Sequence, residues 1–331
     1  MLSLVIPVYK NEANLVRLFT ELEGLAARLP GPLEIVFVVD GSPDASFQIL
    51  RDRLPSWPVR SQLLALSRNF GSFPAIAAGL QYGRGQYFAA IAADLQEPPE
   101  LVLEFYRLLK EGEADVVFGH RTGRADGWFS QVASGGFWWL YRHFVMKDMP
   151  RSGIDVFGCT RQVRDRLVEL KEVNTNLIAL LLWLGFRRAF VPYERRPRRE
   201  GRSAWTIAKK FRYAIDSVLS FTDLPIKALL ALGLLGTTAA CLAGATVFVE
   251  WLSGDTSVHG YTSLMLVISF FGGLTALGLG IIGQYLWLAL QDARARPAFV
   301  VRSAWRSSMD SDFGPDSHAL VAPPTADRNS S

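Results

Sequence analysis

Residues 2–44 read LSLVIPVYKNEANLVRLFTELEGLAARLPGPLEIVFVVDGSPD, and the fold follows from how this stretch alternates. Leu2 to Tyr9 is an apolar run closed by a polar cluster, which is the pattern of a strand. Asn14 to Ala27 then sets Leu15, Leu18, Phe19, Leu22 and Leu25 at helical spacing. Leu33 to Val39 is a second run, apolar except at Glu34, closed by Asp40-Gly41-Ser42-Pro43-Asp44. Two strands apolar on both faces with a helix between them predict a buried parallel pair.

Working outward, the unit repeats. Ala45–Leu54 supplies a helix after the second strand, Gln62–Leu66 precedes helical Phe73–Tyr82, Tyr87–Ala92 precedes Glu100–Lys110, and Asp115–Gly119 adds a further strand. The prediction is a mostly parallel α/β sheet covered on both faces. Such sheets bind ligands at the carboxyl ends of their strands. Here those ends are Tyr9-Lys10-Asn11-Glu12, Asp40 to Asp44, Ser67-Arg68-Asn69-Phe70-Gly71 and Asp94-Leu95-Gln96-Glu97-Pro98-Pro99. Asp-Gly and Pro-Pro are ordinary turn chemistry, but four polar clusters at matching strand ends point to one shared site.

The remainder of the chain is unlike this. The 331 residues carry a net charge of +4 and are 50% hydrophobic and 20% charged, which excludes a disordered chain. The longest uncharged runs fall late. Ala228 to Val249 has 22 residues without a charge, about 33 Å as a helix and enough for a bilayer core. His259 to Gln291 is longer still and holds Gly272, Gly273, Gly278, Gly280 and Gly283, small residues that let helices approach closely. Two transmembrane helices are predicted, at 226–250 and 262–290, because soluble helices of this length carry a polar face.

Orientation follows from the flanks. Lys209, Lys210, Arg212 and Lys227 precede the first run and Arg294, Arg296, Arg302 and Arg306 follow the second, whereas Glu250 to Gly260 has no Lys or Arg. Positive residues mark the cytoplasmic side. Met1 to Tyr9 lacks the basic start of a signal peptide, so the first part is expected to stay cytosolic. The only cysteines, Cys159 and Cys241, exclude a disulfide framework and fit a reducing compartment. His120, His143, His259 and His318 form no ligand spacing, so no zinc site is expected. Residues 291–331 are expected to be a largely disordered cytosolic tail, Ser, Asp and Pro rich after Trp305.

Between Arg187 and Arg212 lie ten basic and two acidic residues, a local charge of +8. The 203–222 segment continues with Trp205, Ala208, Phe211, Ile215, Val218 and Leu219 as an apolar stripe, which suits a helix lying at a membrane surface. Aromatics from Trp128 to Phe144 interleave with basic residues in the same way. Nucleic acid is not an expected partner, because no recognition module accompanies the charge.

Taken together, VIPVYKNE, VDGSPD, SRNFG, ADLQEPPE and YERRPRREGRSAW resemble the polyprenyl-phosphate glycosyltransferases of family 2. These are relatives of dolichol-phosphate mannose synthase, with a GT-A (Rossmann-like) fold and, in the bacterial branch, two C-terminal transmembrane helices. The resemblance runs from Leu2 to about Leu290. It implies a cytosolic GT-A domain over 1–202, an interface helix and two spans in an inner membrane, with a homo-oligomer left open. The implied reaction is inverting transfer of a single sugar from a UDP- or GDP-linked donor to a polyprenyl phosphate at the cytoplasmic face.

The resemblance assigns Pro7, Tyr9, Glu12 and Asp40 to the base and ribose pocket, and Asp94 with Gln96 to a divalent cation, Mg2+ or Mn2+, and the donor diphosphate. Arg121, Ser134, Arg195, Arg198 and Ser203 are implied on the phosphate and acceptor side, and Asp155 near the reacting centre as base or positioning group. One departure stands out. The family pattern Asp-x-Asp-x-Gln reads Ala92-Ala93-Asp94-Leu95-Gln96 here, so the first carboxylate is absent. That leaves open a non-catalytic or weakly active homologue as an alternative. A processive polysaccharide synthase is the other, although it needs more spans and a Gln-x-x-Arg-Trp motif that the chain lacks.

Overall fold

The computed structural model describes residues 1–122, 154–170, 177–196, 224–252, 261–294 and 296–306. Two compact units form, one from Met1–Thr206 with Pro297–Ser331 and one from Ile207–Arg296. In the first, β1 (Leu2–Val8), β2 (Leu33–Val39), β3 (Arg60–Leu66) and β4 (Tyr87–Ala90) alternate with α1 (Glu12–Arg28), α2 (Ser46–Arg53), α3 (Ser72–Tyr82) and α4 (Glu100–Lys110). β5 (Val116–Arg121), β6 (Ile154–Thr160), α5 (Arg161–Glu169), α6 (Leu177–Trp183) and β7 (Arg188–Tyr193) follow, and β8 (Val301–Arg306) closes the described chain.

Eight strands make one sheet in the order β7-β5-β6-β4-β1-β2-β3-β8. β1 pairs in parallel with β2 on one side, Leu2 opposite Leu33 through Val8 opposite Val39, and with β4 on the other. The strand order therefore reverses between β1 and β4, and a crevice opens at the carboxyl ends where the connections diverge. The sheet is mostly parallel, as the alternation predicts; β6 runs antiparallel to β4 and β5, and β8 antiparallel to β3.

The core explains why these segments chose their elements. Every residue of β2 is buried, so its run is apolar except at Glu34, whose carboxylate is satisfied by Ser3, Gln62 and the Arg84 N–H. In α1 the buried positions are Leu15, Leu18, Phe19, Leu22 and Leu25, the stripe read from the sequence. Phe19, Phe37 and Trp57 meet with ring centroids 4.9 to 6.0 Å apart. Each such buried side chain contributes about 1.5–3 kcal/mol.

Two expectations need correction. β4 ends at Ala90 rather than Ala92, because after Ile91 N–H reaches Val5 C=O at 3.2 Å the chain curls away from the ladder. The 291–331 segment is not disordered throughout: residues 301–306 form β8, with Gln62 opposite Arg306 and Leu64 opposite Ala304. Trp305 packs against Phe47 with centroids 5.2 Å apart, which gives the strand an apolar anchor that the polar composition around it conceals.

The second unit contains two apolar helices, α7 (Leu224–Leu252) and α8 (Tyr261–Ala293). Among the described residues, one segment is long and apolar enough to cross a membrane, Phe270–Gln291; Ile226–Ala239 is a shorter apolar stretch. Leu230, Leu234, Leu235, Leu279 and Leu286 are each about two-thirds exposed, an apolar surface that water does not tolerate at this extent. A Cβ at Gly236 would lie 2.8 Å from Phe271, and one at Gly278 would lie 3.3 Å from Leu229. Contacts 229 to 278 and 236 to 271 run in opposite chain directions, so the helices pack antiparallel. The expected 203–222 helix, the aromatic stretch from Trp128 to Phe144 and residues 307–331 lie outside the described residues.

Candidate functional site

The first two strand-end loops are tied into one body. Lys10, which sits at φ 55°, donates its N–H to Ser42 Oγ at 2.8 Å; Asn11 N–H goes to Ser46 Oγ at 3.3 Å, and Glu12 N–H to Asp44 Oδ2 at 3.1 Å. Glu12 Oε2 in return accepts Ala45 N–H at 2.8 Å. The first N–H of α1 thus finds its acceptor on the neighbouring loop, while the Ser46 N–H that opens α2 reaches Asp44 Oδ1 of its own loop at 3.2 Å. Burial works to raise the Asp44 carboxyl, but hydrogen bonds from Ser42, Ser46 and the Glu12 and Ser46 amides outweigh it and hold the group below its usual range.

Asp40 joins the second loop to the third. Its carboxylate is 3% exposed and accepts Phe70 N–H at 2.7 Å and Gly71 N–H at 2.9 Å. Burial pushes this carboxyl up, against the two amides and Arg68, which favour its charged form. Gly41 makes the close approach feasible: it has φ 57°, and a Cβ there would stand 2.3 Å from the Arg68 carbonyl carbon. Tyr9 and Pro7 are half-buried at the carboxyl end of β1.

Across the crevice, the 92–97 turn is built around Leu95, whose φ of 57° costs a branched residue about 1–2 kcal/mol. Its side chain is buried in the core, which holds the strained backbone in place. Gln96 N–H reaches Asp94 Oδ1 at 3.3 Å, and Ala92 N–H reaches Glu97 Oε2 at 3.3 Å. Gln96 is also gripped by the segment that follows β7: Arg195 Nη2 donates to Gln96 Oε1 at 2.5 Å, Arg196 N–H to Gln96 C=O at 2.9 Å, and Gln96 Nε2 to Arg196 C=O at 3.4 Å. Arg196 anchors this segment through Glu21 at 3.6 Å and Glu100 at 3.4 Å.

The structure therefore gathers Pro7, Tyr9, Glu12, Asp40, Asp94, Gln96 and Arg195 at one edge of the sheet. Arg121 ends β5 at the same edge, where Thr122 N–H meets Tyr193 C=O at 2.9 Å. Asp155 follows Ile154, the partner of His120, near the start of β6, which also puts its backbone there. Ser134, Arg198 and Ser203 lie outside the described residues. Sequence reasoning missed Glu97, Arg196 and the Ser42–Asp44–Ser46 straps; all but Ser46 sit inside the quoted motifs, where they read as turn residues or bulk charge.

Residues 3–169 match Glycosyl transferase family 2. The chain belongs to that family. This family 2 glycosyltransferase is 33% identical over 305 residues to the Synechocystis protein described as uncharacterized glycosyltransferase sll0501, covering 92% of this chain and 95% of that one. It is 29% identical over 308 residues to the SfII prophage-derived bactoprenol glucosyl transferase of Shigella flexneri, covering 93% and 99%. Among solved structures it is similar to a Pyrobaculum calidifontis mannosyltransferase in complex with GDP-Man and Mn2+, at TM-score 0.43 and 14% identity over 86% of this chain and 87% of that one.

The donor atoms of the 92–97 turn suit a hard divalent cation. Asp94 and Gln96 offer oxygen ligands, the type that suits Mg2+ or Mn2+. Among the described residues no group of three or more His, Cys, Asp or Glu gathers to hold a metal.

Proposed function

We propose that the chain transfers one sugar from a nucleotide-sugar donor to a polyprenyl phosphate at the cytoplasmic face of a membrane, with inversion at the anomeric carbon. The observation that carries the reading is the bond between Arg195 and Gln96. It joins the diphosphate end of a donor site to a strongly basic segment that leads directly into apolar helices. Support comes also from the bactoprenol glucosyl transferase relative, which aligns over almost its whole length and so includes the region of the apolar helices.

In this reading the strapped loops bearing Tyr9, Glu12 and Asp40 shape the pocket for base and ribose. Asp94 and Gln96 hold a divalent cation, which when bound neutralises the charge that develops on the departing diphosphate. Arg195 brings further guanidinium donors to phosphate oxygens beside that turn. A phosphate oxygen of the acceptor attacks the anomeric carbon as the bond to the donor diphosphate breaks on the opposite face. A phosphate monoester with a second pKa of about 6 is already largely dianionic at pH 7, so Asp155 is read as a positioning group rather than an obligatory base. Arg121, Ser134, Arg198 and Ser203 are assigned to the acceptor side.

The two-span topology gains an argument from β8. That strand follows the apolar helices in the chain yet is hydrogen-bonded into the sheet, so the segment between must cross a bilayer an even number of times. An antiparallel α7–α8 pair that crosses twice meets this condition, and α8 crossing alone does not. With the basic flanks inside, the catalytic domain and the C-terminal strand face the cytoplasm. The deciding experiment presents UDP- and GDP-sugars with undecaprenyl phosphate to the purified protein and reads the mass of the lipid product. Absence of a glycosylated lipid with every donor, alongside intact folding, would overturn the proposal.

A further inference from the structure

The missing carboxylate at position 92 has a counterpart in the fold. Leu95 reverses the backbone, and the turn brings residue 97 back over its own beginning, so that Glu97 Oε2 rests on the Ala92 N–H at 3.3 Å. Glu97 is 4% exposed. A glutamate at the end of a surface loop can usually carry its charge out to water, and burying it costs free energy. This one is buried, with a carboxylate oxygen on the backbone of the residue where the resembled pattern has its first aspartate. From that position its negative charge lies in the same six-residue turn as Asp94 and Gln96.

We infer that Glu97 supplies the second negative charge of the cation site, in place of the side chain that Ala92 lacks. The inference rests on the reading of the 92–97 turn as the cation site. Mg2+ and Mn2+ bound with donor phosphates use only one or two protein carboxylates, so one further negative charge beside Asp94 is a large share of what the protein contributes. A glutamate five residues downstream can meet that need if the turn is closed tightly, and the left-handed Leu95 closes it.

The rival account is that Glu97 only fastens the turn by accepting the Ala92 amide. Glu97→Gln separates the two, since an amide oxygen still accepts that hydrogen bond and only the charge is lost. The measurement is Mn2+ binding by electron paramagnetic resonance to the full chain in detergent, with UDP and GDP in parallel. The variants are Glu97→Gln, Asp94→Asn, Ala92→Asp and the double variant Ala92→Asp/Glu97→Gln, each checked by thermal unfolding.

Glu97→Gln should weaken Mn2+ binding by about tenfold or more, and the double variant should recover to within about threefold of wild type, a rescue that a turn-fastening role does not produce. Wild-type affinity in Glu97→Gln, or no recovery in a folded double variant, overturns the inference while leaving the cation site standing. Unchanged binding in Asp94→Asn instead removes the cation site itself, and this inference with it. If Glu97→Gln does not fold, Ala92→Asp alone decides. A gain within about threefold supports Glu97 as the existing charge, and a gain of tenfold or more shows that the site was short of one.

Discussion

At Arg195 the shape of the cation matters as much as its charge. The guanidinium already donates to Gln96 Oε1 at 2.5 Å and keeps further donors in a rigid plane, whereas an ammonium offers a single point of attachment. Arg195→Lys should lower the initial rate of transfer about tenfold, equivalent to about 1.4 kcal/mol of transition-state stabilisation. A lysine variant within twofold of wild type beside a weak Arg195→Ala variant would show that only diffuse positive charge is needed there. Asp94 is the complementary case. Asparagine retains an oxygen for the Gln96 N–H but not the charge, so Asp94→Asn should unfold at the wild-type temperature and keep less than about a tenth of the activity at saturating magnesium. Retained activity above that level removes Asp94 from the cation site.

Among the elements, the strand-end loops behave as a set because their backbones touch. Gly41→Ala adds a Cβ 2.3 Å from the Arg68 carbonyl carbon at a left-handed φ; strain and clash together should destabilise the protein by about 2–4 kcal/mol. Calorimetry should show the drop, and donor binding should weaken with it; an unchanged midpoint would mean that the loops can part freely. The Asp44 straps add a pH signature. Its folded pKa lies below the ordinary 3.8, so its stabilisation is present above the unfolded value and is lost as pH falls through the folded one. The unfolding midpoint of Asp44→Asn should therefore depend less on pH in that acid range than that of wild type. A parallel dependence would assign the acid sensitivity elsewhere. These loops were legible in the sequence because parallel strands alternating with helices announce where their carboxyl ends lie. β6, β7 and β8 were not. Ile154–Thr160 and Arg188–Tyr193 lack that alternation, the latter contains Pro192 within a basic stretch, and β8 depends on a single aromatic anchor, Trp305 on Phe47. Position 97 was invisible for another reason: only a backbone reversed at Leu95 brings it to residue 92, and no periodicity encodes a left-handed leucine.

For the whole molecule, the proposed double crossing is directly measurable. In a Cys241→Ser background, a cysteine at Ser257 should react with a membrane-impermeant maleimide added to intact cells, and one at Ser307 should react only after lysis. Equal labelling of the two would exclude the antiparallel pair as a double span. The closing strand also imposes an order on synthesis. β3 is made early, yet the strand that covers its outer edge, from Val301 to Arg306, leaves the ribosome only after both apolar helices. Until then the nascent domain carries an open sheet edge, the feature through which unfinished proteins associate with one another. Completion of the sheet is thus timed by the synthesis of the two apolar helices. A chain released before Val301–Arg306 is made would keep its β3 edge uncovered, a feature by which chaperones and proteases can distinguish it from a finished enzyme.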